Sequence, residues 1–242
     1  MSNKETKVLV EGFRMFLKNK LSEAPKPKEN PAQMGLDFTA KPKKAAKTGN
    51  PSVVKIFDFG GTLFQPSHPL LKNPFFYLSL SPEGVQLFDK KLEGEGLNSA
   101  KANMDKVDSY SYVLSRVSSF GPNKDKAYFK GLLAKGDPKL KGFLELIGAP
   151  ADETSIDKYF LDGNQTLDTM KQFIATMTGI DPARVIVTSN TTGNSKGSEA
   201  EKIAKQNPGA SFIVYDNDPS GLAMTRNGLE AGGARDVKEV PV

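Results

Sequence analysis

Two carboxylates stand at the ends of apolar segments, and they are the side chains with which this chain can do chemistry. Asp58 ends the apolar run of VVKIFDFGGTLF, which starts at Val53, and two glycines follow soon after. Asp216 ends a second run in SFIVYDND. A carboxylate can attack phosphorus as a nucleophile, and two carboxylates can bind Mg²⁺, a hard cation that prefers oxygen ligands. The alternative is purely conformational, because Asp and Gly are common where a strand ends in a turn.

Hydroxyl groups and a lysine complete a set that is suited to moving a phosphoryl group. Ser115 lies near the end of SYSYVLSR, and Ser189 lies near the end of ARVIVTSN. Such hydroxyls can donate hydrogen bonds to phosphate oxygens, and Lys171 can offset the negative charge that develops during transfer. The chain has no cysteine and one histidine, His68, which excludes thiolate and multi-histidine metal sites. We interpret His68 as a surface loop residue rather than a catalytic one.

Apolar segments that alternate with helical ones must position these groups. Their spacing predicts an α/β domain over residues 53–242, with a Rossmann-like parallel sheet of about five strands flanked by helices. In such sheets the ligand lies beyond the carboxyl ends of the strands, where the carboxylates and hydroxyls named above fall. The predicted strands are the run ending at Asp58, Ser109–Arg116, Lys158–Leu161, Ala183–Asn190 and Ser211–Asp218.

Helices are predicted between these strands from capping and breaking residues. Residues 64–108, called the insertion below, are predicted to form an irregular segment that covers the entrance to the site. Four prolines interrupt the insertion, and Pro82 is expected to begin a helix there. The other predicted helices are Lys124–Ala134, Pro138–Ile147, Thr166–Met177, Ser198–Gln206 and Leu222–Ala231.

The basic charge of the chain is concentrated before the α/β domain. Residues 1–52 hold eleven basic and five acidic residues, whereas the remainder holds 22 and 23. Apolar residues at helical spacing predict an amphipathic helix over residues 1–23, which can dock on the protein itself or on a larger assembly. Residues 24–52 form a Pro/Lys-rich linker that cannot bury much apolar surface. This basic arm can contact nucleic acid or an acidic protein surface.

The chain shows no sequence signal for a membrane. No apolar run approaches the ~20 residues that span a bilayer, and the N-terminus lacks the apolar core of a secretory signal. We therefore expect a cytoplasmic protein without a membrane span.

The first carboxylate segment resembles a known family motif. FDFGGTLF looks like the first motif of the haloacid dehalogenase (HAD) superfamily, Asp-x-Asp-Gly-Thr-Leu after an apolar strand. The continuation TLFQPSHP, SYVLSR and DKYFLDGNQTLDTMK resembles the order seen in the Swiss-army-knife RNA-repair-like branch of that superfamily. The resemblance covers about Val53 to Val242. It implies a Mg²⁺-dependent phosphohydrolase or phosphotransferase acting on a small phosphorylated substrate or a nucleic-acid end.

The resemblance implies a role for individual residues. Asp58 would be the nucleophile and Thr62 would support the motif-one loop. Ser115, with Arg116 beside it, would bind phosphate, and Lys171 would neutralise charge. The metal would be held by Asp58, the carbonyl of Gly60, Asp216 and, as a second candidate, Asp218.

The middle of the motif order has two alternatives. VIVTSN also resembles the second motif of the family, and in that alignment Ser189 binds phosphate while Lys202 or Lys205 is the lysine. We favour Ser115 with Lys171, because that choice accounts for the strand order.

One departure from the family pattern bears on activity. The second aspartate of motif one, the general acid and base of typical family phosphatases, is Gly60 here. Losing such a group typically costs about 10²–10⁴ in rate. The alternative function is therefore a catalytically degenerate HAD fold that acts as a binding or structural module.

The N-terminal sequence indicates one specific version of the binding or structural module. LVEGFRMFLKNKLSE resembles the amphipathic leaders of T4-like tailed-phage proteins. Leu21-Ser22-Glu23 resembles the hydrophobic-x-Glu sites that capsid-maturation proteases of those phages cut. This resemblance implies a virion-associated structural protein, located in the host cytoplasm or the virion, whose processed form begins at Ala24.

Overall fold

The computed structural model describes residues 51–72, 74–97, 100–117, 125–162, 167–189 and 195–242. The predicted N-terminal helix at residues 1–23, its leader motif and all but the end of the basic linker lie outside the described residues.

Five parallel strands form one sheet, which confirms the predicted α/β class. The strands are β1 (Val53–Phe57), β2 (Tyr112–Val117), β3 (Val185–Ser189), β4 (Ser211–Asp216) and β5 (Val237–Pro241). Their order across the sheet is β3-β2-β1-β4-β5, with every neighbouring pair parallel. The chain thus extends the sheet first to one side of β1 and then to the other.

Helices connect the strands, as the sequence predicts. Caps mark several starts: Ser81 accepts a hydrogen bond from the amide of Gly84, and Pro82 occupies the first turn as predicted. The helices are α1 (Pro69–Lys72), α2 (Pro82–Gly94), α3 (Lys126–Ala134), α4 (Pro138–Leu146), α5 (Glu153–Tyr159), α6 (Leu167–Thr178), α7 (Lys196–Gln206) and α8 (Pro219–Ala231). No helix in the described ranges has the length and apolar composition to cross a membrane.

One predicted strand is wrong and one strand was missed. Lys158 and Tyr159, the first two residues of the segment predicted as Lys158–Leu161, end α5, a helix that Asp152 caps by accepting a hydrogen bond from the amide of Ser155. Phe160 forms an isolated bridge with Leu80 and belongs to no strand of the sheet. The fifth strand is instead Val237–Pro241 at the sheet edge. Its sequence VKEVP contains two charged residues and a proline, and therefore lacks a clear strand pattern. Edge strands tolerate proline.

Apolar side chains cover both faces of the sheet, as a parallel sheet requires. On one face, Val54 and Ile56 pack with residues of α7 and α8 such as Ile203 and Leu229. On the other face, Phe57 joins a larger cluster built by the insertion and α3 to α6. Side chains of β1 therefore belong to the apolar clusters on both faces of the sheet.

Candidate active site

Asp58 and Asp216 lie together at the carboxyl edge of the sheet. Asp58 follows the last residue of β1, and Asp216 is the last residue of the adjacent strand β4. The amide of Asp58 donates to the carbonyl of Tyr215 at 2.9 Å, which continues the pairing of the two strands. The strand order reverses between β1 and β4, and ligands of such sheets bind at that switch point.

Lys196 joins the two carboxylates. Its Nζ donates to Asp58 Oδ1 at 2.8 Å and to Asp216 Oδ2 at 2.7 Å. All three groups are buried, with 4% of Lys196, 9% of Asp58 and 2% of Asp216 exposed. Buried charges are stable only when they are paired and hydrogen-bonded, and here one cation serves two anions. The cluster carries one formal negative charge beyond what the lysine neutralises.

Lys196 was missed from the sequence because α7 begins earlier than predicted. The predicted helix began at Ser198, whereas α7 begins at Lys196 and is capped by Ser195. Ser195 and Ser198 exchange hydrogen bonds between their side chains and main-chain amides in a capping box. A Ser-x-x-Ser cap was the available signal, since it places Lys196 in the first turn of a helix that follows a strand.

Glycines let α7 and α8 approach each other and the site. A Cβ atom at Gly228 would lie 2.0 Å from the main-chain oxygen of Gly197. A Cβ atom at Gly221 would lie 2.3 Å from Asp216 Oδ2. Both distances are far below contact, so only glycine permits this packing. The first turn of α7, and with it Lys196, is held in place by the close approach of α8.

The turn after β1 is fixed by aromatic packing and by glycine. The ring of Phe59 stacks on Phe64 with centroids 5.5 Å apart. Gly61 has φ +83°, and a Cβ atom there would lie 2.4 Å from the side chain of Asn217 in the β4–α8 loop. Residue 61 therefore needs glycine both for its backbone conformation and for the contact between the two loops that carry Asp58 and Asp216.

Thr62 and Gly60 differ in how far this turn buries them. Thr62 is completely buried, and its Oγ1 has no hydrogen-bond partner among the described residues. Its carbonyl accepts a hydrogen bond from Asn103 Nδ2 at 2.9 Å, which ties the turn to the insertion. Gly60 is exposed, and a Cβ atom there would meet no atom within 4 Å.

The hydroxyl that lies beside Asp58 is that of Ser115. Ser115 is buried in β2, and its hydroxyl acts to lower the pKa of the Asp58 carboxyl. Ser189 ends β3, but its side chain lies outside what the structure describes. Thr188 Oγ1 donates to the carbonyl of Ser115 at 3.4 Å and links the two strands.

Arg116 and Asp218 lie at the rim of the site. Arg116 Nη2 is 3.8 Å from Asp218 Oδ2, and both side chains are more than 40% exposed. Asp218 also caps α8 by accepting a hydrogen bond from the amide of Ser220, and its own amide donates to Asp216 Oδ1 at 2.9 Å. The carboxylate of Asp218 is thus engaged with a helix end and an arginine.

The lysines predicted from sequence do not contact Asp58. Lys202 pairs with Glu199 at 2.8 Å and Lys205 pairs with Glu201 at 2.6 Å, both on the exposed side of α7. Lys171 is half-buried on α6 and makes no ion pair with Asp58 in the part of the chain that the structure describes. The lysine that contacts Asp58 is instead Lys196, at the start of α7.

His68 lines a cavity within the insertion. The cavity measures about 390 Å³ and is bounded by residues 66–69, Leu71, Gly96 and Leu97. His68 Nδ1 accepts a hydrogen bond from the amide of Leu70 at 3.3 Å, at the start of α1. This contact agrees with the interpretation of His68 as a loop residue.

Burial sets the protonation behaviour of Asp58. Removal from water raises the pKa of the Asp58 carboxyl above its ordinary value of 3.8, and the negative charge of Asp216 acts in the same direction. The ammonium of Lys196 and the hydroxyl of Ser115 oppose this shift by stabilising the carboxylate. Ionised Asp58 is therefore less favourable in the fold than in the unfolded chain.

Asp58→Asn is expected to raise the unfolding midpoint at neutral pH, measured by thermal denaturation in EDTA. Between pH 3.8 and the raised pKa, the unfolded chain is ionised at Asp58 while the folded one is not, so wild-type stability falls as pH rises. Asparagine cannot ionise and avoids this loss. The gain should shrink as the pH falls toward 3.8.

Asp108 provides a control of opposite sign. Burial acts to raise the pKa of Asp108, but hydrogen bonds from Lys55, Tyr110 and Ser111 hold it below its ordinary value. Asp108→Asn should therefore lower the midpoint at neutral pH, with the loss disappearing in acid. A lower midpoint for Asp58→Asn at neutral pH would contradict the assignment of burial as the dominant effect at Asp58.

The donor set at the sheet edge fits a hard divalent cation. Asp58 and Asp216 present carboxylate oxygens close enough for one ammonium group to bridge them, and the cluster keeps an unneutralised negative charge. Within the described ranges, however, no three acidic, histidine or cysteine side chains group as a metal site. Further oxygen ligands would have to come from main-chain carbonyls, as predicted for Gly60, or from water.

Comparisons with known proteins add little to this geometry. No protein-family model matches the chain, and no curated protein matches it. Among solved structures, the chain is similar to the HAD domain of the effector protein Lem4 from Legionella pneumophila. The two share 14% sequence identity over 78% of this chain and 86% of that chain, with a TM-score of 0.35.

Proposed function

We propose that this protein is a HAD-like phosphohydrolase or phosphotransferase with Asp58 as its nucleophile. The observation that carries the proposal is the buried cluster in which Lys196 bridges Asp58 and Asp216 across the switch point of a parallel sheet. The cluster keeps a charged carboxylate in a nearly dry site, where electrostatic effects on a reacting phosphoryl group are strong.

Asp58, Ser115 and Lys196 have separate roles in the proposed phosphoryl transfer. A carboxylate oxygen of Asp58 attacks phosphorus while the bond to the leaving oxygen breaks, which gives an aspartyl phosphate. Ser115, in the strand β2 that pairs with β1, donates to a phosphoryl oxygen. Lys196 holds Asp58 in orientation and offsets the negative charge that gathers at the phosphoryl group. Water or an acceptor hydroxyl then attacks phosphorus and releases Asp58.

Mg²⁺ is the cofactor that this donor set would take. We expect Asp58, Asp216 and the carbonyl of Gly60 to hold it, whereas Asp218 is occupied by the α8 cap and Arg116. When bound, the cation neutralises phosphate charge and acts as a Lewis acid. The proposed substrates are small phosphorylated molecules or nucleic-acid ends, and the basic arm is proposed to contact nucleic acid or an acidic protein surface.

The proposal predicts that beryllofluoride and vanadate bind the wild type in the presence of Mg²⁺ but do not bind Asp58→Asn. Both ions mimic a phosphoryl group on or near the nucleophile, and asparagine cannot form the carboxylate adduct. Isothermal titration calorimetry measures both affinities. Turnover of any substrate should fall by at least about 10⁴ in this variant, since a nucleophile is removed rather than weakened.

Asp157→Asn is a matched control, because Asp157 is an exposed carboxylate on α5 that pairs with Lys130. It should bind beryllofluoride as the wild type does. Equal affinity of wild type and Asp58→Asn for both ions would refute the proposed function.

A second candidate is a HAD-like fold that binds without turnover. The closed arrangement of Lys196 with both carboxylates and the lack of a side chain at Gly60 favour it. The basic arm and N-terminal helix would then make the functional contacts, in a virion or another assembly. Phosphate release that depends on Asp58 would exclude this candidate.

A further inference from the structure

Residues 100–103 of the insertion lie alongside the turn after β1. The amide of Ala102 donates to the carbonyl of Leu63 at 2.8 Å, and the amide of Gln65 donates to the carbonyl of Ala100 at 2.7 Å. Both hydrogen bonds use main-chain atoms, so they do not depend on the type of side chain. They show that a segment distant along the chain is one of the elements that hold this turn.

Asn103 adds a side-chain contact to the same turn. Its Nδ2 donates to the carbonyl of Thr62 at 2.9 Å. Thr62 is completely buried, and a buried carbonyl needs a hydrogen-bond partner. The amide of Asn103 supplies that partner from 41 residues away along the chain. The turn that continues from Asp58 is therefore held by a side chain of the insertion as well as by main-chain atoms.

The backbone of Asn103 has a conformation that residues other than glycine rarely adopt. Its φ is +53°, and within the described ranges it is the one non-glycine residue with a positive φ. Asparagine tolerates the left-handed region better than most residues, but glycine adopts it without a steric penalty. A side chain is thus present where glycine would suit the backbone better. Such an outlier beside a candidate site points to a functional role for the amide.

Lys106 fixes the orientation of the Asn103 amide. Its Nζ donates to Asn103 Oδ1 at 2.6 Å, so the NH₂ end of the amide faces Thr62. The carbonyl of Lys106 accepts a hydrogen bond from Lys55 Nζ at 2.8 Å, and its ammonium lies 5.4 Å from the ring centroid of Tyr215. Lys55 belongs to β1 and Tyr215 to β4. The amide is therefore aligned by the two strands that lead to the site carboxylates.

We propose that Asn103 is a positioning residue for the nucleophile Asp58. Its side chain fixes the carbonyl of Thr62, and with it the turn that continues from Asp58, so it sets the direction in which the carboxylate meets phosphorus. The inference rests on the proposed function and adds a residue of the insertion to it. A displacement of about 1 Å at a reacting group can cost about 10²-fold in rate, so a small movement of this turn has a measurable effect.

Asn103→Gly and Asn103→Ala test the proposal as a pair, because both remove the amide but differ in backbone strain. Glycine relieves the left-handed conformation, whereas alanine keeps the strain. With Mg²⁺, both variants should bind beryllofluoride at least about tenfold more weakly than the wild type and to a similar extent. Asn103→Gly should nevertheless unfold at a higher urea concentration than Asn103→Ala. Calorimetry on the full chain, at a temperature where every variant is folded, measures the affinities.

A purely structural role for Asn103 gives a different pattern. Affinity would then follow stability, so Asn103→Gly would bind beryllofluoride more tightly than Asn103→Ala and nearly as tightly as the wild type. That result would overturn the proposal. The comparison is informative because the two substitutions remove the same hydrogen bonds and change the backbone strain in opposite ways.

Asn103→Asp and Asn207→Asp form a second, matched pair. Asn207 is buried at the end of α7, and its Nδ2 donates to the carbonyl of Ile203 at 2.8 Å. Each substitution replaces an amide that donates to a main-chain carbonyl with a carboxylate that cannot donate when ionised. Both variants should lose stability. Only Asn103→Asp should lose affinity for beryllofluoride, by at least as much as Asn103→Gly.

The outcomes separate this inference from the proposed function. Binding of beryllofluoride that depends on Asp58 but is unchanged in Asn103→Gly would overturn the inference and leave the function intact. Equal losses of affinity in Asn103→Asp and Asn207→Asp would also overturn it, because lost stability would then explain both. Binding that does not depend on Asp58 would overturn the function, and the positioning role with it.

Discussion

Lys196→Met should lower the free energy of unfolding by about 3–5 kcal/mol, because it leaves two buried carboxylates facing each other without their cation. The side chain of Lys196 is 5% exposed, and its Nζ contacts both Asp58 and Asp216. Methionine preserves most of the apolar stem and removes only the charge and its hydrogen bonds. Urea denaturation in EDTA at neutral pH measures the loss, and Asp58-dependent turnover should disappear with it.

The pH dependence of this loss identifies its cause. One of the two carboxylates can take up a proton in acid and so relieve the repulsion, and the destabilisation should therefore be smaller near pH 5 than near pH 8. A packing defect would not respond to pH in this way. Lys202→Met, six residues along the same helix, is the control, since Lys202 is an exposed residue in a surface pair with Glu199.

Lys202→Met should change stability by less than about 1 kcal/mol, as expected for a surface ion pair. Stability of Lys196→Met equal to that of Lys202→Met would contradict the role assigned to the cluster. Partial rescue of Lys196→Met by a second substitution, Asp216→Asn, would show that the repulsion lies between the two carboxylates.

The sequence predicts the frame of the site because that frame depends on local rules. An apolar run that ends in a carboxylate marks a strand reaching the carboxyl edge of a parallel sheet, and this rule led to Asp58 and Asp216. The hydroxyl of Ser115 follows from the same rule. Capping residues and prolines gave the helices around residues 126–146 with few errors, since each cap is a contact within four residues.

Lys196 and strand β5 were not predicted, because both depend on contacts between segments that are distant along the chain. Lys196 lies in the polar stretch GNSKGSEA, which carries no apolar pattern, and its position is set by contacts 138 and 20 residues away along the chain. Strand β5 gains its conformation from pairing with β4 rather than from its own sequence. Tertiary pairing overrides weak local preference in β5. For Lys196, the Ser-x-x-Ser cap indicates where α7 begins, but not that the lysine contacts two carboxylates.

The contact between α7 and α8 should also control the position of Lys196, and Gly228→Ala tests it. The added methyl carbon would lie 2.0 Å from the main-chain oxygen of Gly197 and 2.7 Å from its carbonyl carbon, so the helices must separate. Overpacking of this kind typically costs about 1–3 kcal/mol, and here it opposes a gain of about 1 kcal/mol in helix propensity. We expect a net loss of stability together with weaker beryllofluoride binding, because the first turn of α7 moves away from Asp58.

Gly131→Ala in α3 is the matched control, since it makes the same change within a helix. A Cβ atom at Gly131 would meet nothing within 4 Å, so the variant should gain about 0.5–1 kcal/mol from helix propensity and bind beryllofluoride as the wild type does. Opposite signs for the two variants would show that the close approach of backbones at Gly228 matters rather than the loss of glycine. If Gly228→Ala were as stable as Gly131→Ala and kept its affinity, Lys196 would have to be positioned by the carboxylates alone.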